Sequence, residues 1–179
     1  MTSSENIRLL AHSPDHLRTL REDPRLYETQ FGVTIAEGVR EFLGGPEVSE
    51  SFLARLRDSP SADLWRDGFG VIHAAENRLI GLCSFNGPPD AEGALEISYA
   101  IAPTYTARGY ATEAARLLIA HATVSGEVRV VRAHTLPEEN ASTRVLKKCG
   151  FQHCGAVNHP EDGLIWLWEL PLPSIGLMS

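Results

Sequence analysis

The stretch "PTYTARGYATEAARLL", residues 103–118, carries the residue types and spacing that could do chemistry. A helix starts directly after a bare glycine, with no acidic residue before its first turn. Helix N-termini carry unpaired N–H groups and a partial positive charge, so an anion held there needs no acidic cap. Glycine at 109 lets the backbone approach a bulky anion and take up angles closed to other residues, and Ala111 leaves the next approach unobstructed. Taken alone, the turn is either such an anion site or an ordinary strand-to-helix connection. Glu113 in the first turn suits the helix dipole and needs no catalytic role.

Other chemistry is less well supported. Cys83, Cys149 and Cys154 form neither a C-x-x-C pair nor an even disulfide framework, so they read as reduced thiols. His153 and His159 lie near two of them but match no zinc spacing, and no metal is expected. With 179 residues and 43% hydrophobic content, the chain suits a single domain over residues 1–179. A net charge of −7 argues against a nucleic-acid partner and accommodates a cationic small ligand. No stretch approaches the roughly 20 apolar residues needed to cross a bilayer, and the N-terminus lacks the regions of a secretion signal. A cytoplasmic protein without membrane contact is the expectation.

The elements that would position the turn follow from pattern. "IRLLAHSPDHLRTLRED" reads as a strand and then a helix capped by Ser13 with Pro14 at its first position. Residues 36–62, broken by Gly44-Gly45-Pro46, read as two short helices or a helix and a loop. Their acids Glu37, Glu41, Glu47, Glu50 and Asp58 are either solvated helix faces, the favoured reading, or an acidic wall at a ligand site. Glu76-Asn77-Arg78 is the turn of a β-hairpin. "LEISYAIAP" alternates, with Leu95, Ile97, Tyr99 and Ile101 on one face and Glu96, Ser98, Ala100 and Ala102 on the other. A helix stripe from Ala111 to Ala122, a strand at "VRVVRAHTL", a short helix at "NASTRVLKKCGF" and a strand at "LIWLWEL" complete a mixed α/β (α+β) order, with one strand–helix–strand crossover after residue 95. Trp65, Trp166 and Trp168 read as core or cavity wall.

"PTYTARGYATEA" followed by "HTLPEENASTRVLKKCGF" resembles the GNAT superfamily of N-acetyltransferases, in particular the branch that acetylates ribosomal-protein N-termini and related amines. The likeness covers roughly residues 70–155, and the combination of two motifs at the expected separation is far more specific than either alone. The superfamily signature is R/Q-x-x-G-x-G/A, whose fourth and sixth positions are met by Gly109 and Ala111. Two departures stand out. Thr106 occupies the first position, where the family has Arg or Gln, and Ala107 stands where this branch usually has glycine. Losing a phosphate-binding arginine removes a charge-assisted bond worth about 1.5 to 3 kcal/mol, for which Arg108 is a candidate replacement.

The resemblance implies a mixed, mostly antiparallel sheet of about seven strands, splayed at the cofactor site and flanked by helices. It implies acetyl-CoA as cosubstrate, held by Thr106, Ala107, Arg108, Gly109, Tyr110, Ala111 and Thr112, with Ile101 along the pantetheine arm and Asn140 near coenzyme A. The reaction would be direct transfer of acetyl to a primary amine, on a protein N-terminus or a small molecule, with the acidic 36–62 segment lining the approach. A base is needed, and Glu96 is the candidate, its competing reading being a carboxylate in an ordinary hydrogen-bonded pair. A bulge in its strand, usual in the family, would alter the face it presents. Backbone N–H groups around Tyr99 to Ile101 would stabilise the oxyanion. Ser142 matches the serine thought to assist the departing sulfur, or is simply a polar residue in a helix's first turn. Asn140 most simply caps that helix. The tyrosine acid of many relatives is replaced by Leu146, while Tyr99, Tyr105 and Tyr110 read chiefly as packing. A non-catalytic coenzyme A sensor and an unrelated phosphate-binding protein are the alternatives, and a homodimer is compatible with the sequence.

Overall fold

The computed structural model describes residues 3–44, 48–58 and 61–174. Strand β1 (Ile7–Ala11) leads into α1 (Pro14–Glu22), whose start is fixed as the sequence suggests: Ser13 Oγ accepts from the His16 N–H, and the His16 ring accepts from the Ser13 N–H. A second helix not anticipated from pattern, α2 (Pro24–Phe31), follows at once, with Asp23 as cap and proline at its first turn. Next come the two-residue strand β2 (Thr34–Ile35), a 3-10 turn at Arg40–Leu43, α3 (Glu50–Asp58) and α4 (Leu64–Asp67).

The hairpin is β3 (Phe69–His73) and β4 (Arg78–Phe85), turning through Asn77 at φ 51°. β5 (Ala94–Ile101), a 3-10 turn at Pro103–Tyr105, α5 (Tyr110–Ser125) and β6 (Val130–Thr135) form the crossover. Helix α6 (Ala141–Lys148) and the final hairpin β7 (Gln152–His159) and β8 (Gly163–Pro171) close the chain. The sheet runs β1-β3-β4-β5-β6-β8-β7, with β2 beside β4. Among the described residues only β5–β6 and the short β2–β4 pair are parallel, so the sheet is mixed and mostly antiparallel.

Alternation along β5 divides the layers. Leu95 and Ile97 are buried on the face against which α5 packs. Residues of α1, α3 and α4 close over the other face, which carries Leu82, Ser84, Ser98 and Ala100. Asp67 at the end of α4 is almost fully buried; it accepts from Arg55 of α3 at 2.7 Å and from the Asp63 N–H at 2.6 Å, which fixes α3 over this face. Pairing a buried carboxylate in this way avoids the desolvation cost of an isolated charge. The bulge expected in β5 is absent: β4 and β5 keep one register from Phe85↔Ile97 to Gly81↔Ile101, and the irregularities fall instead at Ile80 of β4, extra between Val71↔Gly81 and Ile72↔Leu79, and at Cys154 of β7. Among the described residues no helix is long and apolar enough to cross a membrane.

His12, beyond β1, is 4% exposed, with Nε2 2.7 Å from the Tyr27 hydroxyl and Nδ1 lacking a partner among the described residues. Burial, and then neighbouring His16, depress its titration from 6.5 to about 3. The unfolded chain therefore takes up a proton near pH 6.5 that the folded chain refuses until about pH 3. Stability present above that window is lost as pH falls through it, by up to about 1.4 kcal/mol per pH unit. Urea unfolding of His12→Asn between about pH 7 and about pH 5 should accordingly lack roughly 2 kcal/mol of the decline seen in the parent protein.

Candidate active site

The β5–β6 ladder is short. It pairs Ala94 with Val130, Leu95 with Val131 and Glu96 with Arg132, then stops, although β5 continues to Ile101 and β6 to Thr135. The sheet splays there. The Asn86 N–H donates to the Glu96 carbonyl and the Ala102 N–H to the Ile80 carbonyl, so even-numbered β5 residues direct their backbone groups at β4. The odd-numbered residues Ile97, Tyr99 and Ile101 direct theirs to the side from which β6 has departed. Those main-chain donors face the gap that the resemblance implies.

Two cavities meet at this gap. One, of about 590 Å³, is lined by Ile101, Thr106, Ala107, Gly109, Tyr110, Ala111, Thr112 and Ser142, together with Tyr99, Ala100, Arg144 and Lys148. The other, of about 710 Å³, lies across the sheet, among His12, Glu41, Phe52, Asp67, Ser84 and Ser98. Tyr99 and Ala100 line both. The Tyr99 hydroxyl donates to the Ser142 carbonyl at 3.3 Å, tying β5 to the first turn of α6, and burial pushes its titration upward, so it stays protonated.

The wall of the smaller cavity is the N-terminus of α5. Gly109 is the N-cap, at φ 87°, and makes no side-chain cap. The first intrahelical donor is the Glu113 N–H, bonded to the Gly109 carbonyl at 3.0 Å. The amides of Tyr110, Ala111 and Thr112 thus lack helical acceptors and line an open cavity, with the helix dipole adding positive potential. A Cβ built on Gly109 would meet nothing within 4 Å, so its requirement is conformational rather than steric. The approach is braced from below. The buried Tyr105 hydroxyl donates to Glu76 and accepts from Arg78 at 3.1 Å, and the Tyr110 hydroxyl lies 3.0 Å from His73 Nε2. The Tyr105 hydroxyl first, and then the charges of His73, Arg78 and Arg108, hold the Glu76 carboxyl below its usual range.

Not every candidate reaches a cavity. Arg108 is turned onto the Tyr105 ring, 5.4 Å from its centroid, and does not line the smaller cavity. Positive side chains there are Arg144 and Lys148 instead, which sequence reasoning missed. Their spacing of four on α6 was visible, but its relevance depends on α6 lying beside the start of α5. Asn140 caps α6, its Oδ1 accepting from the Thr143 N–H at 3.1 Å, and lines neither cavity. Glu96 shares the sheet face of Ser98 and Ala100, but its Oε1 is 2.8 Å from His134 Nδ1. Of the acidic residues in 36–62, Glu41 lines the larger cavity, Glu50 pairs with Arg57, Glu37 and Asp58 are exposed, and Glu47 lies outside the described residues. Leu146 is fully buried core and offers no acid. Among the described residues no group of three or more His, Cys, Asp or Glu side chains is placed to hold a metal ion.

The profile of the acetyltransferase (GNAT) domain family matches residues 16–152. The chain belongs to this family. Among curated relatives, the uncharacterized N-acetyltransferase p20 of Bacillus licheniformis is 29% identical over 93 residues, 52% of each chain. The chain spans about half the length of the curated relatives it matches. The GNAT fold extends further than that sequence similarity. The ribosomal L7/L12 α-N-protein acetyltransferase RimL, solved with coenzyme A, superposes with a TM-score of 0.63 at 16% identity, covering 94% of this chain and 96% of its own. The microcin C7 self-immunity acetyltransferase MccE, solved with acetyl-CoA and AMP, gives 0.61 at 15% identity, covering 94% of each.

At the position where the resemblance leads one to expect glycine, Ala107 is held at φ 60°, in the left-handed region. A Cβ there costs about 1 kcal/mol that glycine does not incur. Ala107→Gly should raise the free energy of unfolding by up to about 1 kcal/mol, less the added chain entropy of the unfolded state. Denaturant titration measures it, and a loss of stability would contradict the observed backbone.

Proposed function

We propose that the chain works as one domain over residues 1–179 and is an acetyl-CoA-dependent N-acetyltransferase acting on primary amines. The observation that carries this reading is the pair of cavities sharing Tyr99 and Ala100 where the sheet opens. A donor on one side and an acceptor on the other could react there without either crossing the sheet.

The smaller cavity fits the pyrophosphate and pantetheine of acetyl-CoA on its own chemistry: bare amides at Tyr110, Ala111 and Thr112, a helix N-terminus, and the cations Arg144 and Lys148. These two side chains offset the charge absent at Thr106. Amides in the turn from Thr106 to Gly109 donate irrespective of side-chain type, and Ile101 offers an apolar strip for the pantetheine arm. When bound, acetyl-CoA supplies a thioester whose carbonyl carbon accepts the nucleophile. The N–H groups of Tyr99 and Ile101 then donate to the carbonyl oxygen as it gains charge. Ser142, in the first turn of α6 beside Tyr99, is placed to donate to the departing sulfur. Asn140 serves the site by fixing that turn.

The larger cavity takes the amine. Glu41 lines it and, among the described residues, is in no ion pair, so it favours a cationic acceptor. Glu96, on the same sheet face, supplies the negative charge that a departing proton requires. The acceptor class is a protein N-terminus or a small amine, the former in keeping with the fold shared with RimL, an α-N-protein acetyltransferase.

Release of free thiol from acetyl-CoA across a panel of N-terminal peptides and small amines tests the reading. Turnover with at least one amine is expected; coenzyme A binding without turnover would favour a sensor. In calorimetric titrations, Gly109→Val should abolish measurable coenzyme A affinity, and Arg144→Gln with Lys148→Gln should weaken it about tenfold or more. Unchanged affinity in Gly109→Val would remove the anion-turn assignment.

A further inference from the structure

Glu96 does not present a free carboxylate. Its Oε1 lies 2.8 Å from His134 Nδ1, the side chains being 36% and 26% exposed respectively. They come from the two strands that separate. Glu96 belongs to the last paired position of β5 and β6, opposite Arg132, and His134 stands two residues further along β6. Residues two apart on a strand share a face, so His134 shares with Glu96 the face on which Ser98 and Ala100 line the larger cavity, the pair standing next to those lining residues along the strands and not among them. An ionised carboxylate only accepts, so Nδ1 carries the hydrogen, and in the neutral ring Nε2 then keeps its lone pair. No partner for Nε2 is found among the described residues.

We propose that His134 is a catalytic residue that accepts the acceptor amine's proton at Nε2, and that Glu96 is the residue positioning its ring. This inference rests on the acetyltransferase reading above. Imidazole changes charge nearer neutrality than any other side chain, which suits a base working on an amine in neutral water. As the neutral amine's nitrogen bonds to the acetyl carbon, its N–H proton passes to Nε2 and leaves the electron pair on nitrogen. The carbon–sulfur bond breaks with its pair going to sulfur. The imidazolium, facing the Glu96 carboxylate, then returns the proton to the thiolate directly or through water, which restores the neutral ring.

The charged surroundings suit a transient cation. Glu96 of β5 bonds the ring directly, and Arg132, on β6 with His134, is neutralised by Glu169 of β8 at 2.8 Å and faces Asp90 at 3.9 Å. From β7, the His159 ring lies 6.3 Å from that of His134, centroid to centroid, and is itself paired with Asp162 at 3.3 Å. The residue opposite His134 on β8 is the apolar Leu167.

The test compares the parent protein, His134→Gln, His134→Ala and Glu96→Gln, using the best amine from the panel. In His134→Gln, kcat/KM should fall by about 100-fold or more with the acid limb of its pH profile lost, while coenzyme A affinity stays unchanged. Added imidazole should restore part of the rate in His134→Ala. Independently of turnover, ¹⁵N ring shifts should report hydrogen on His134 Nδ1 in the parent and redistribution between the nitrogens in Glu96→Gln. Parent turnover with an unaltered profile in His134→Gln, or ring shifts that ignore Glu96, overturns this inference alone. A parent protein that turns over no amine overturns the acetyltransferase reading and this inference with it.

Discussion

Everything distinctive about this molecule depends on a backbone ladder that ends early. Two parallel strands share hydrogen bonds only from Ala94 to Glu96 and from Val130 to Arg132, and both then continue without each other. Buried or half-buried peptide groups left without a strand partner are costly unless something else satisfies them. The opening is tolerated because β4 still supports β5 along its other edge and β8 still supports β6. Each parted strand therefore remains rigid while one edge is free to meet a ligand. The parallel crossover contributes too, since α5 must start near the end of β5 and so brings its uncapped N-terminus to the same place.

The turn into α5 illustrates how local strain is held by distant contacts. Two left-handed residues, Ala107 and Gly109, lie within three positions, and only the second is of the type that adopts such angles readily. Tyr105 and Tyr110 anchor the turn on either side, the first between Glu76 and Arg78 and the second on His73. Those partners lie in β3, β4 and the connection between them, so the hairpin determines the shape of a loop some thirty residues later in the chain.

Much of this was legible in the residues themselves. Period-two alternation placed β5 and its faces, Ser13-Pro14 placed α1, and Gly109 placed the start of α5, because each signal is local. The segment at 24–31 was missed although Asp23-Pro24 is a good helix start; its few apolar positions gave little periodicity. The bulge carried over by resemblance did not appear in β5. Arg144 and Lys148 could not be read as cavity residues, nor His134 as the partner of Glu96, because these relations depend on packing: α6 beside α5, and β6 diverging from β5. Arg108 is the converse case. Its sequence position put it in the turn, but its side chain found an aromatic ring to rest on.

Tyr99 forms part of the boundary between the two chambers, and its hydroxyl is pinned to the main chain of α6. This residue thus borders both compartments. A smaller residue at this place would release the first turn of α6 and alter a wall the two chambers share, so neither can be reshaped at this point without altering its neighbour. Room to reshape the larger chamber alone therefore lies away from the shared residues, in the outer wall formed by α1, α3 and the 3-10 turn bearing Glu41, where side chains can change and the junction stays intact.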